Sequence, residues 1–245
     1  MPHFALIGKP LTHSFSKRYF ENKFRRERLM DYTYEAIELD SLYGIRETMM
    51  QKGISGLNVT IPYKEAIIPY LDEISEEAKA IGAVNLVKVL PDGRWKGYNT
   101  DAPAFADTLV PLLQPWHSEA LVLGTGGASK AVCYALKRLN IKVQLVSRDK
   151  EGCLSYKEAF ESAKSRFVIV NCTPVGMFPH IEQTPWLETA PLSARHLCYD
   201  LIYNPGETLF MVQAEQKGAH VKNGLEMLER QAELGWQIWH NQDLN

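Results

Sequence analysis

Several classes are ruled out by what the chain lacks. It has four cysteines in 245 residues, and Cys133, Cys153, Cys172 and Cys198 stand far apart with no CxxC pair. A disulfide framework or a thiolate zinc cluster is therefore not expected, and the four read as core residues of a cytoplasmic protein. The seven histidines form no HxH or HxxxH pair, so no metal site is expected. His13 stands beside Ser14, but no GxSxG turn accompanies them, and His13 reads as substrate-binding or structural rather than as a base. Charge of one sign is also lacking: the formal net charge is −2. That balance argues against nucleic acid or an anionic membrane as the main partner. No apolar run approaches the roughly 18 residues of a membrane helix. The opening MPHFALIGKP lacks the basic start of a secretory signal. Repeats and low-complexity linkers are absent. The length allows one or two domains and a sizeable core.

What is present begins with residues 53–64, GISGLNVTIPYK. The stretch carries no charge until its last residue. Ile54, Leu57, Val59 and Ile61 are apolar, while Asn58 and Thr60 alternate with them, the period-2 pattern of a strand with two different faces. Pro62 ends the strand because it brings no ladder donor. Lys64 then sits just past a strand end, close to uncharged hydrogen-bonding side chains, where an ammonium could face a substrate oxygen. The plainer alternative is a solvated lysine opening the next helix.

Residues 119–129, EALVLGTGGAS, read as a strand, a glycine turn and a helix running from Ala128 to Leu139. That is the context a dinucleotide fingerprint needs. Gly124 permits the tight turn, and Gly126 lets the backbone approach a pyrophosphate that the helix N-terminus attracts. The third small position falls on Ser129 rather than glycine. The next strand, Lys142 to Val146, ends in Ser147, Arg148 and Asp149. Roughly twenty residues after the glycines an NAD site places an acid on the ribose. Arg148 occupies about that place, and a guanidinium suits a 2′-phosphate, favouring NADP. The alternative is an ordinary surface Arg148–Asp149 pair.

Strand patterns fall at 3–8, 32–39, 54–60, 84–90, 119–124, 142–147, 166–171 and 197–202, with helical stretches between most of them. This alternation implies α/β architecture with largely parallel sheets. PDGRW at 91–95 reads as a hairpin turn leading into a strand that ends at Tyr98. The expected division is a first domain of residues 1–100 with 225–245, and a dinucleotide-binding domain of 101–224. The last helix, 225–243, carries Leu225, Leu228, Ala232, Trp236 and Trp239 on one stripe, with Gln231 at its edge, and is expected to pack back on the first domain.

Taken in order, GKPLTHSFS (8–16), NVTIPYK (58–64), GAVN (82–85), GYNTD (97–101), GTGGAS (124–129), NCTPVGM (171–177), DLIYNP (200–205) and GLEMLERQ (224–231) make the chain resemble the shikimate dehydrogenases over nearly its whole length. The resemblance implies two α/β domains, an N-terminal substrate-binding domain and a Rossmann-like NADP-binding domain, with the active site in the cleft. It implies reversible reduction of 3-dehydroshikimate to shikimate with NADPH, on the route to chorismate and the aromatic amino acids. By the same resemblance Lys64 and Asp101 are the catalytic pair. Ser14 and Ser16 bind the substrate carboxylate, and Thr60, Asn85, Tyr203 and Gln231 also contact the substrate. Gly124, Thr125, Gly126, Gly127 and Ala128 wrap the pyrophosphate, and Ser147 and Arg148 meet the adenosine phosphate. Asn171, Thr173 and Val175–Met177 lie at the carboxyl edge, and Leu201 and Gly224 line the nicotinamide. Each has a plainer reading: Asp101 could be the N-cap of a helix over 102–113, and NCTPVGM a strand followed by a Pro-Gly loop. The adenosine motif departs from the family's usual Asn-Arg-Thr, which leaves an NAD-using quinate/shikimate dehydrogenase as the alternative. Folate-linked methylene dehydrogenases lack the serine pair and the NVTxPxK run. A non-catalytic ligand-binding relative would be expected to have lost Lys64 or Asp101. The expected partner is the small-molecule substrate, and the chain is expected to be a monomer or homodimer.

Overall fold

The computed structural model describes residues 1–11, 14–185 and 191–240. The chain forms two compact units, Met1–Thr100 with Gln231–Asn245, and Asp101–Arg230.

The first unit runs β1 (His3–Gly8), α1 (Phe15–Arg26), β2 (Thr33–Glu38), α2 (Ile45–Gln51), β3 (Gly56–Val59), α3 (Tyr63–Ala66), β4 (Glu73–Ile74), α4 (Glu76–Ile81), β5 (Leu86–Val89) and β6 (Trp95–Tyr98). Its six strands lie in the order β2-β1-β3-β5-β6-β4. β1 pairs in parallel with β2 and β3, but β5 is antiparallel to both β3 and β6. The sheet is therefore mixed rather than largely parallel. The cause is the tight 90–94 turn, in which Leu90 N–H donates to Arg94 O at 2.8 Å and Gly93 takes φ +82°. A turn this short can only reverse the chain. Fully buried apolar residues, among them Ile7, Leu57, Ile67, Val84 and Val87, form one core.

The second unit runs α5 (Asp101–Leu109), β7 (Glu119–Leu123), α6 (Gly127–Arg138), β8 (Lys142–Val146), α7 (Tyr156–Ser162), β9 (Val168–Asn171), β10 (Leu197–Asp200), α8 (Leu209–Glu215), β11 (His220–Lys222) and α9 (Leu225–Trp239), which crosses into the first unit. Its five strands are all parallel, in the order β11-β10-β9-β7-β8. β7 has β8 on one side and β9 on the other, which is the switch point of a doubly wound sheet, where ligands bind beyond the strand carboxyl ends. Continuous apolar runs such as ALVL in β7 and VIV in β9 are buried on both faces, as a covered parallel sheet requires.

Four expectations are corrected. The helix over 102–113 is α5 plus a 3₁₀ turn over Val110–Leu112, because Pro111 brings no N–H to an α-helical bond. Asp101 is the first residue of α5 rather than its N-cap. β3 ends at Val59, before Pro62, because the chain turns at Thr60, whose carbonyl accepts the Tyr63 amide at 2.9 Å. On α9, Leu225 is 38% exposed, while Met227, Gln231, Ala232, Leu234, Ile238 and Trp239 are buried. At 100° per residue the buried arc is rotated away from the expected stripe, and Gln231 lies well inside it instead of at its edge. The end of α9 docks on the first unit: Trp239 stacks on Phe4 with centroids 4.2 Å apart, and its Nε1–H donates to Val87 O at 3.0 Å.

Candidate active site

Within the first unit, Ser14 is the N-cap residue of α1 but makes no capping bond. Its hydroxyl is buried and, among the described residues, has no hydrogen-bond partner. No acidic residue stands in the first turn of α1, and Lys23, Arg25 and Arg26 stand in its last. The positive end of the helix dipole is thus left uncompensated beside an unused donor, which suits a carboxylate. Ser16 lies two residues further on and hydrogen-bonds the Tyr34 hydroxyl. Tyr34 in turn donates to Asn58 Oδ1 at 2.7 Å. Burial pushes the Tyr34 phenol up, so it stays neutral and accepts from Ser16 while donating to Asn58.

Thr60, Lys64 and Asn85 are drawn together by backbone bonds. The Val59 amide donates to Asn85 O at 2.8 Å, and the Val84 amide donates to Lys64 O at 2.7 Å. Tyr63, beside Lys64 on the short α3, anchors that turn by donating its hydroxyl to Leu39 O at 2.6 Å. Lys64 is half-buried in the first turn of α3. Asn85 grips Thr100 with both ends of its amide: Nδ2 donates to Thr100 Oγ1 at 2.9 Å and Oδ1 accepts the Thr100 amide at 2.7 Å. Thr100 directly precedes Asp101 in the chain. Gln231 is buried on α9. His13 lies outside the described residues.

In the second unit Asp101 is buried in the first turn of α5. Gly124 follows β7 with φ +101°, and a Cβ there would sit 3.0 Å from Thr173 Cγ2, so the turn needs a glycine on both counts. Thr125 follows, and Gly126 caps α6, whose first two residues are Gly127 and Ala128. A Cβ built on Gly126 meets nothing within 4 Å, so open space lies in front of the α6 N-terminus where a pyrophosphate would approach. Ser129, at the third position, is buried and donates to Gly126 O at 2.7 Å, which satisfies the hydroxyl locally. Ser147 Oγ accepts the Asp149 and Lys150 amides at 3.4 and 3.3 Å, shaping the turn that exposes Arg148. Among the described residues no ion pair joins Arg148 to Asp149.

At the end of β9, Asn171 Oδ1 accepts both the Thr173 amide (3.0 Å) and the Thr173 hydroxyl (2.7 Å). Val175 N–H closes the turn on Thr173 Oγ1 at 3.3 Å, and Met177 is 43% exposed beyond it. Leu201 and Gly224 are brought together: a Cβ on Gly224 would lie 2.1 Å from Leu201 O, a distance only glycine allows. Tyr203 is half-buried in the loop after β10. The residues from Gly124 to Gly224 therefore gather at the carboxyl ends of β7 to β11.

The family model for the shikimate dehydrogenase substrate binding domain matches residues 6–87. The shikimate dehydrogenase (NADP(+)) of Staphylococcus epidermidis is 37% identical over 251 residues, covering 97% of this chain and 92% of its own. The crystal structure of shikimate dehydrogenase from Aquifex aeolicus superposes with a TM-score of 0.88 at 35% identity, over 100% of this chain and 94% of that one. The chain belongs to the shikimate dehydrogenase family. The Thermus thermophilus family member crystallised with NADP(H) and shikimate has a TM-score of 0.85 at 34% identity, covering 98% of this chain and 93% of that one.

Within this shikimate dehydrogenase fold the sequence missed Asp200 and Thr208. Asp200 closes β10 with no exposed surface and accepts from Asn171, Ile202 and Thr208. Burial pushes its carboxyl up to about 6, against these bonds, which lower it. The signal was an acid ending the apolar run LCYD, eight residues before a threonine in N-cap position. Of the cysteines only Cys198 is a core residue; Cys133, Cys153 and Cys172 are half-buried. Burial raises the Cys133 thiol to about 11 and the Cys198 thiol to about 12, so both are held protonated and unreactive. Among the described residues no group of three metal-ligating side chains occurs, and no helix is long and apolar enough to cross a membrane.

Proposed function

We propose that the chain catalyses the reversible, NADPH-dependent reduction of 3-dehydroshikimate to shikimate in the biosynthesis of chorismate and the aromatic amino acids. The observation that carries this reading is the buried, unpartnered Ser14 hydroxyl at the positive end of α1, in the same unit as Lys64. A carboxylate would satisfy both the donor and the dipole, and shikimate carries one. The whole-length similarity to NADP-dependent shikimate dehydrogenases supports the cofactor and the substrate together.

Bound NADPH supplies the hydride, and the chain's residues handle the rest. Ser14 and Ser16 would hold the carboxylate, Ser16 turning its hydroxyl from Tyr34 to the substrate. Thr60, Asn85, Tyr203 and Gln231 would hold the ring. Lys64 and Asp101 would serve as the catalytic residues, as the resemblance implies. As the ketone becomes an alcohol, negative charge develops on its oxygen; Lys64 Nζ stabilises that charge and donates the proton. In the oxidising direction neutral Nζ takes the proton back. Asp101 accepts a hydrogen bond from a substrate hydroxyl and so orients the ring. Gly124–Ala128 would wrap the pyrophosphate, Ser147 and Arg148 would meet the 2′-phosphate, Thr173 would border the pyrophosphate, and Leu201 and Gly224 would form the nicotinamide wall.

The testing experiment follows reduced-nicotinamide absorbance with shikimate or quinate as substrate and NADP or NAD as acceptor. Rapid reduction with shikimate and NADP is expected. Preference for NAD with activity on quinate would replace the reading with that of a quinate/shikimate dehydrogenase. No reduction in any combination would end it. Lys64→Ala is expected to lower kcat by roughly two to three orders of magnitude with little change in KM, since the group acts in the transition state. Turnover near wild type would remove Lys64 from the chemistry.

A further inference from the structure

The ends of β9 and β10 and the N-cap of α8 meet at one buried carboxylate. Asp200 Oδ1 accepts Asn171 Nδ2–H at 3.0 Å and the Ile202 amide at 3.0 Å, and Oδ2 accepts the Thr208 hydroxyl at 2.7 Å. Asn171 passes the constraint to Thr173, taking both its amide and its hydroxyl on Oδ1. The Thr173 methyl abuts the position of a Cβ on Gly124, in the turn after β7. On the other side Ile202 O accepts the Gly224 amide at 3.0 Å, directly beneath the close approach of Gly224 to Leu201. Thr208 is the N-cap of α8, and its Oγ1 also accepts the Met211 amide at 3.4 Å. For packing alone an apolar side chain at this depth would serve at lower cost than a carboxylate. What the carboxylate adds is three directional bonds, to the end of β9, to the loop that follows β10 and to the N-cap of α8, in a setting where such bonds are strong and their loss is costly.

We propose that Asp200 is a positioning residue for the dinucleotide site, holding the Thr173 loop and the Leu201–Gly224 wall at a fixed spacing from the glycine turn. It acts through Asn171, Ile202 and Thr208 rather than by touching the cofactor. The inference rests on the reading that this chain binds NADP(H).

The test compares Asp200→Ala and Asp200→Asn with wild type by steady-state kinetics and by titration of NADPH fluorescence. Asp200→Ala leaves two N–H donors and a hydroxyl without their acceptor. It is expected to raise KM for NADP and the NADPH Kd roughly tenfold or more, while KM for shikimate stays within about threefold. Asn keeps an oxygen for Asn171 and Ile202 and can donate to Thr208 Oγ1, so Asp200→Asn is expected to recover NADP affinity to within about threefold. If Asp200→Ala fails to fold by circular dichroism, Asn171→Ala cuts the single link to Thr173 and must give the same selective rise in KM for NADP. A folded Asp200→Ala with unchanged NADP affinity, an equal rise in both KM values, or no recovery in Asp200→Asn would each overturn the proposal. A wild type that binds no NADPH would overturn the parent reading and this one with it. A wild type that binds while the folded alanine variant binds equally well would overturn this one alone.

Discussion

A buried hydroxyl without a partner costs on the order of 1–3 kcal/mol, and Ser14 bears that cost at the N-cap of α1. Such a residue serves something other than stability. Ser14→Ala is therefore expected to leave the melting temperature unchanged or slightly higher, while KM for shikimate rises roughly tenfold. Calorimetry and steady-state kinetics on the same preparation check both halves. A lower melting temperature with unchanged KM would make Ser14 structural and move the carboxylate elsewhere. Arg148 is the second residue whose surroundings decide its reading. It is exposed, and among the described residues it forms no ion pair with the adjacent Asp149. A guanidinium in that state is available to a phosphate. Arg148→Ala is expected to weaken NADPH by about tenfold or more and NADH by little. Equal losses in fluorescence titrations with the two cofactors would remove the 2′-phosphate role.

Two glycines of the same β7–α6 turn should separate folding from binding. Gly124 has φ +101° and would press a Cβ onto Thr173, so Gly124→Ala is expected to destabilise the fold by about 1–3 kcal/mol. Gly126 has φ −80° and a Cβ there meets nothing within 4 Å, so Gly126→Ala should leave stability unchanged or slightly raised. Its methyl would project where the pyrophosphate approaches, so NADP affinity should fall roughly tenfold or more. Denaturant midpoints and NADPH titrations on the pair make the comparison. Undiminished NADP binding in Gly126→Ala would place the phosphates elsewhere. This turn was legible in the sequence because glycine spacing and flanking periodicity are local. The strands β4 and β11 were not, being two and three residues long, too short to show a period. The face of α9 was misread because Leu225 suits the stripe by type yet stands exposed, while polar Gln231 is buried. Only tertiary contacts decide which arc of a helix is covered. The close approach of Leu201 to Gly224 and the bond from Asn171 to Asp200 are likewise contacts between segments more than twenty residues apart, which no short window of the sequence contains.

For the whole molecule, strand and helix alternation announced an α/β chain, yet it could not show that one unit carries a mixed sheet and the other a parallel one. What buried polar groups do to global stability is legible only from the packed structure, and here they act in opposite directions with pH. His117 accepts the Gln114 amide on Nδ1 at 3.1 Å and donates from Nε2 to Arg195 O at 2.9 Å, a pattern that only the neutral ring can make. Burial lowers its pKa below 6.5, so its contribution is full above that value and is lost as pH falls through the lowered one. Asp200 runs the other way. Its folded value of about 6 lies above the unfolded 3.8, so the folded chain holds a proton there that the unfolded chain releases. That contribution is full below 3.8 and lost as pH rises through about 6, a change of up to about 3 kcal/mol. Asp200→Asn removes this titration and keeps the shape. Relative to wild type the variant should therefore gain stability between about pH 4 and pH 6.5, by up to about 3 kcal/mol, and level off above that range. Urea unfolding of both proteins across those pH values reads the difference. A gap that does not change with pH would mean that Asp200 titrates alike in the folded and unfolded chain. A gap that narrows as pH rises would mean that the bonds from Asn171, Ile202 and Thr208 outweigh burial, leaving a carboxylate stabilised rather than strained at the centre of the network.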